Sequence, residues 1–207
     1  MQEPPVPNGH VDPRIGFFDR HAGHWSDDKE RQAAALRRLE DLGPRLPLVP
    51  GQQLLEVGCG PGHITPWLAD RVKPGRVTAV DFSPAMLAQA RAKGIAADFH
   101  PLDICEAAPM EQAYDVALCF QSFPHFRNPS MALRHLGKAL KPQGRLLVLH
   151  FTGSEQINVY HRRVGGVVAH DFLPAPQEWP GLLTEAGLSL QSLEDRPDLF
   201  LLQAARV

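Results

Sequence analysis

The sequence predicts an α/β fold: a mostly parallel sheet with helices on both faces and an antiparallel hairpin at its C-terminal end. Three observations carry this. Short aliphatic runs alternate with helical segments from Gln52 onward. Those runs are apolar nearly throughout, as strands covered on both faces require. The last two are separated only by Arg196-Pro197, too short a link for a parallel crossover, so they pair antiparallel.

The chain has 207 residues, which suits a single core. Apolar residues make up 43% and charged residues 21%, ordinary values for a globular protein. The net charge of −2 and the lack of a basic run give no footprint for nucleic acid. No apolar stretch is long enough to span a bilayer, and the polar, Pro-rich start does not read as a secretory signal. Cys59, Cys105 and Cys119 lack paired spacing, which argues against a disulfide framework and for a cytoplasmic setting. A monomer or homodimer is expected, with no membrane partner.

Residues up to about Pro13 read as a lead-in, followed by an aromatic cluster with Phe17, Phe18 and Trp25. Asp27 can cap the next helix, with Glu30 as its capping-box partner, and Gly43-Pro44 stops it. Residues 1–50 are thus an N-terminal arm and helix, a candidate lid. Residues 51–207 form the ligand-binding domain. The first strand is 53–57, and a helix begins near Gly62. The second strand, 76–81, leads to Ser83, which caps a helix with Pro84 at its first position and Gly94 at its end. Strands follow at 95–100, 114–120 and 145–150, with a helix opened by Asn128-Pro129 before the last of these. A helix over 177–186 precedes the hairpin, 188–195 with 198–207.

The strongest chemical signal is Glu56-Val-Gly58-Cys59-Gly60-Pro-Gly62, between the first strand and its helix. Glycines there let a ligand approach the backbone, at the strand end where open α/β sheets bind ligands. Asp81 ends the next strand, about 20 residues on, where an acid meets ribose hydroxyls. The dinucleotide fingerprint needs a glycine at 63, where His63 stands. Glu56 would repel a pyrophosphate but suits a ligand carrying positive charge. These features favour S-adenosylmethionine over NAD. An NAD-type oxidoreductase and a non-catalytic binding protein of the same fold remain the competing readings.

Taken with 77–87, Asp103 and 140–147, the glycine turn resembles the class I S-adenosylmethionine-dependent methyltransferases, in the broad group that includes quinone-biosynthesis enzymes. The resemblance covers about residues 50–150. It implies a Rossmann-like seven-stranded sheet with the last hairpin inserted, and methyl transfer to a small-molecule substrate. It implies that Gly58, Cys59 and Gly60 touch the methionine part and that Asp81 holds the ribose. Phe82 and Met86 would flank the adenine, Asp103 with Ile104 would meet its amino edge, and Phe120 and Gln121 would lie near the methyl group. Asp98 competes with Asp103.

Acceptor chemistry is less defined. His125 follows the fourth strand and can act as a base or orient an acceptor. An insertion of about 151–175 is placed to cover the substrate. Ser154 can cap a helix there, with Ile157 and His161 on one face, and His161 with Asp171 can form a base and its orienter. Arg162 can bind an anionic substrate. The spacing of His150, His161, His170 and Asp171 fits no standard zinc motif, so no metal is expected. Gln121-Ser-Phe-Pro124 replaces the Asn/Asp-Pro-Pro-aromatic pattern of DNA amine methylation. Neither Cys59 nor Cys119 reads as an activated thiolate.

Overall fold

The computed structural model describes residues 12–25 and 28–207. Seven strands form one sheet, β1 (Gln53–Val57), β2 (Arg76–Asp81), β3 (Asp98–Pro101), β4 (Tyr114–Phe120), β5 (Leu140–His150), β6 (Leu188–Arg196) and β7 (Leu199–Arg206). Their spatial order is β3-β2-β1-β4-β5-β7-β6. Only β7 runs antiparallel to its neighbours, inserted between β5 and β6. The predicted hairpin and parallel core are both present.

Side-chain alternation along the strands builds two cores. Leu54, Val116 and Leu118 face one side, against the helices α2 (Lys29–Leu42), α3 (Thr65–Val72) and α4 (Pro84–Ala92). Leu55, Val57, Ala117 and Cys119 face the other, against α5 (Pro129–Ala139), α6 (Ser154–Val164) and α7 (Trp179–Glu185). Both faces of the central strands are therefore dry, which is why those strands read as continuous apolar runs.

Several boundaries differ from the sequence reading. The aromatic arm is itself a helix, α1 (Pro13–Ala22), opened by Asp12, whose carboxylate accepts from Arg14 N at 2.9 Å, with Pro13 at the first position. Asp27 lies outside the described residues, and Asp28 caps α2, accepting from Arg31 N at 2.8 Å. Residues 62–64 turn before α3 starts at Thr65. The third strand begins at Asp98 rather than Ile95, after the positive-φ turn at Gly94. Strand β5 starts at Leu140, which pairs with Tyr114, and 141–144 is an irregularity within it. Ser154 does not cap α6. Gly153 is the N-cap, and Asp195 on β6 supplies the carboxylate, accepting from Ser154 N at 2.9 Å.

Candidate active site

The C-terminal ends of β1, β2 and β4 open onto a cleft of about 730 Å³, its open mouth included. A narrower cleft of about 320 Å³ continues from it beside Leu102, Asp103 and Ile104. Gly58, Asp81, Phe82 and His125 border both.

The three glycines of the β1 turn serve different ends. At Gly58, φ is +72° and a Cβ would stand 2.4 Å from that of Ser122, whose hydroxyl is tied to Val57 O at 2.7 Å. At Gly60 a Cβ would meet nothing within 4 Å, so the backbone lies bare to the cleft. Gly62 does not line the cleft. Its Cα faces Ile95 and Ala90, which a Cβ there would meet at 3.0 and 3.2 Å. Cys59 does line the cleft, but burial pushes its thiol well above the usual range.

Two carboxylates face this turn. Asp81 accepts from Gly60 N and Ser83 N, each at 2.8 Å. Burial pushes its carboxyl up to about 6, against the pull of those N–H groups. Glu56 is fully enclosed and accepts from the Thr65 hydroxyl at 2.7 Å. Burial, opposed by that bond and aided by the Asp81 charge, pushes it up to about 8. Phe82, Met86, Phe120 and Gln121 line the same cleft. Gln121 takes a positive φ of 53°, a conformation that a non-glycine residue holds only when its surroundings impose it. Asp103 lies in the narrower cleft and accepts from Cys105 N at 2.8 Å, whereas Asp98 is exposed on β3 and borders neither cleft.

The expected base and orienter change partners. Asp171 Oδ2 lies 2.7 Å from His125 Nδ1. His161 Nδ1 instead bonds the main-chain oxygen of Asp171, and its ring stands 5.0 Å from that of His125. Burial lowers the His161 imidazole below the usual histidine range. His150 is buried at the end of β5 with no partner for Nε2, and burial takes its imidazole down to about 3. Arg162 stacks on Phe172, with its guanidinium carbon 4.9 Å from the ring centroid.

The N-terminal helix forms one wall. Phe18 and Trp25 line the wider cleft. Asp19 accepts from Ser83 Oγ at 2.5 Å, joining α1 to the start of α4. Asp12 and Arg14 line the narrower cleft, and neither was among the expected site residues. Asp12-Pro13, a capping acid before a helix-opening proline, is the sequence signal for this helix.

A family model described as a methyltransferase domain matches residues 28–193. The chain belongs to that methyltransferase family. The glycine turn and Asp81 place it in the class I S-adenosylmethionine-dependent group. The dinucleotide oxidoreductase reading is thereby set aside. The 27-O-demethylrifamycin SV methyltransferase of Amycolatopsis mediterranei (strain S699) is 31% identical, over 84% of this chain and 68% of its own. The demethylmenaquinone methyltransferase of Thermus thermophilus is 27% identical, over 87% and 90%. Trans-aconitate 2-methyltransferase of Shigella flexneri serotype 5b matches 60% of this chain at 34% identity, a match that spans only 47% of that enzyme. Among solved structures, a Haloferax volcanii putative methyltransferase, in complex with the Trm112 activator, superposes with a TM-score of 0.73 at 17% identity, covering 95% of this chain and 99% of its own. That likeness shows the fold.

The residues present fit the cofactor. A bare glycine backbone, an acid held by two main-chain N–H groups and a second enclosed carboxylate face one cleft. Gly58, Cys59 and Gly60 would border the methionine part, Asp81 the ribose, Phe82 and Met86 the adenine.

Proposed function

We propose that this methyltransferase acts on a hydroxyl group of a small molecule, with His125 as general base and Asp171 as its orienter. One observation supports this above others: the His125 ring borders the cofactor cleft while its Nδ1 faces a buried carboxylate. A carboxylate only accepts, so Nδ1 carries the proton and Nε2 is left basic. A hydroxyl must lose its proton as its oxygen forms the new bond, so it needs such a base. His125 Nε2 receives that proton. Bound in the cleft, S-adenosylmethionine supplies an electrophilic methyl group on a sulfonium, leaving neutral S-adenosylhomocysteine. Phe120 and Gln121 would hold the acceptor in line. The 27-O of the rifamycin relative's name accords with an oxygen acceptor.

Of the N-terminal arm, the described residues 12–25 would cover the cofactor, and the insertion of about 151–175 the acceptor. No helix among the described residues is long and apolar enough to cross a membrane, and all three cysteines are free and buried. Buried free thiols accord with a reducing, cytoplasmic setting, and the protein would work there as a monomer or homodimer.

The test is transfer from methyl-labelled S-adenosylmethionine to a panel of phenols, hydroxy acids and primary amines. Label on hydroxyl oxygens supports the reading, and label confined to amines contradicts it.

A further inference from the structure

We propose that Arg14 is a positioning residue for the His125–Asp171 pair, an inference that rests on the base assigned above. Arg14 lies on α1, 111 residues before His125 in the chain, and is 7% exposed. Asp12 occupies one side of its guanidinium: Nε lies 3.0 and 3.1 Å from the two carboxylate oxygens, and Nη2 lies 2.7 Å from Oδ2. Nη1 is left to point at the pair. It donates to the main-chain oxygen of His125 at 2.7 Å and lies 3.6 Å from Asp171 Oδ1.

One nitrogen therefore touches both halves of the pair. Asp171 uses Oδ2 toward the imidazole and Oδ1 toward the guanidinium. The hydrogen bond on Oδ2 and the guanidinium charge 3.6 Å from Oδ1 together favour one orientation of the carboxylate, and with it the direction from which it holds Nδ1. The bond to the His125 carbonyl fixes the backbone of the 3-10 turn Phe123–His125 that carries the ring. A planar fork can serve Asp12 on one side and the pair on the other, which the point charge of a lysine cannot.

Anchoring α1 does not require this arrangement. The helix is already held by Asp19 at the start of α4, by Phe18 against Phe82 at 5.5 Å between ring centroids, and by Ala22 in one cluster with Met86. The fork points at the pair, so the arm that walls the cofactor cleft also orients the base. Without Arg14, Asp171 keeps the His125 ring at Oδ2 but loses the positive charge beside Oδ1.

The experiment follows the His125 Nδ1 proton by NMR in histidine-¹⁵N-labelled protein saturated with S-adenosylhomocysteine. Its signal is assigned by its loss in His125→Gln. In Arg14→Met this proton is expected to exchange with solvent about tenfold faster, the equivalent of one lost charge-assisted hydrogen bond. Arg14→Lys, which keeps the charge and not the fork, is expected to exchange at an intermediate rate. The His135 Nδ1 signal, from a ring 2.7 Å from Ile104 O, should stay as in the wild type. A His125 rate unchanged in Arg14→Met overturns the proposal. So does joint loss of the His125 signal, the His135 signal and ligand binding, which makes Arg14 a fold anchor. Should Arg14→Met not fold, Arg14→Lys decides: faster exchange at His125 alone supports the proposal, and an unchanged rate overturns it. The base reading fails separately, if methyl transfer proves indifferent to His125→Gln.

Discussion

His125 Nδ1 and Asp171 Oδ2 meet at 2.7 Å across 46 residues of chain. The histidine comes from the turn after β4, and the aspartate from the loop between α6 and α7. Neither segment sets the geometry alone. Ile157 and Leu173 pack in one core cluster with Phe123 and Phe126, which brings the two together.

Removing either partner should separate chemistry from cofactor binding. His125→Gln is expected to lower turnover on a hydroxyl acceptor by about 10²- to 10⁴-fold, the usual contribution of a positioned base. Asp171→Asn is expected to act in the same direction, because an amide no longer dictates the tautomer. Calorimetry should give both variants the wild-type affinity for S-adenosylhomocysteine. Equal losses in binding and turnover would place His125 in the cofactor site instead.

Cofactor affinity should rise with pH. Glu56 is pushed up to about 8 and Asp81 to about 6, so both hold protons through part of the neutral range. A ligand carrying a sulfonium and an ammonium favours the ionised carboxylates, and must release those protons to bind. Affinity for S-adenosylmethionine is therefore expected to increase from pH 6 to pH 8. Titration in buffers of differing ionisation enthalpy should register proton release. A pH-independent affinity with no release would refute the coupling.

The ligand-free protein should show the opposite trend in stability. A carboxyl raised in the folded state favours folding below its unfolded value, and that advantage is lost as pH rises through the folded one. For Glu56 the loss runs from about 4.5 to about 8. His150, lowered to about 3, acts on the acid side: the unfolded chain takes up its proton below about 6.5, so stability falls with pH there. Glu56→Gln, uncharged at every pH, should stabilise the ligand-free protein at pH 8 by about 2 kcal/mol, or roughly 5 °C in Tm. It should also weaken S-adenosylmethionine binding. Melting curves at pH 5 and pH 8 check this, and an equal Tm difference at both would count against it.

The glycine turn offers a contrast within three residues. Gly58→Ala drives a Cβ into Ser122 at positive φ, and is expected to cost about 2–4 kcal/mol of stability. Gly60→Ala meets open space, so its smaller folding cost should come with a larger loss of cofactor affinity. Thermal melts paired with calorimetry separate the two, and similar profiles would mean both glycines serve the fold alone.

Much of this was legible in the sequence, because it is local. Apolar runs, Ser83 before Pro84 and the two-residue link at Arg196-Pro197 each carry their own physical reason. The glycine turn and Asp81 were legible too, since parallel strand pairing sets residues about 20 apart side by side. Helix α1 was masked by its aromatic residues, which suggested a loose arm rather than a face packed on Phe82 and Met86. The partner of His125 was hidden for another reason. Nearness in sequence pointed Asp171 at His161, but His161 reaches only its main-chain oxygen, leaving the carboxylate free to turn to His125. Arg14 was invisible because its role depends on contacts 111 residues away.

The most direct test of the central claim is calorimetric titration with S-adenosylmethionine, S-adenosylhomocysteine and NAD, on the wild type and on Asp81→Ala. The account predicts binding of the first two at micromolar concentrations, loss of both in the variant, and no binding of NAD. Binding of NAD, or affinity for S-adenosylmethionine untouched by Asp81→Ala, would contradict it.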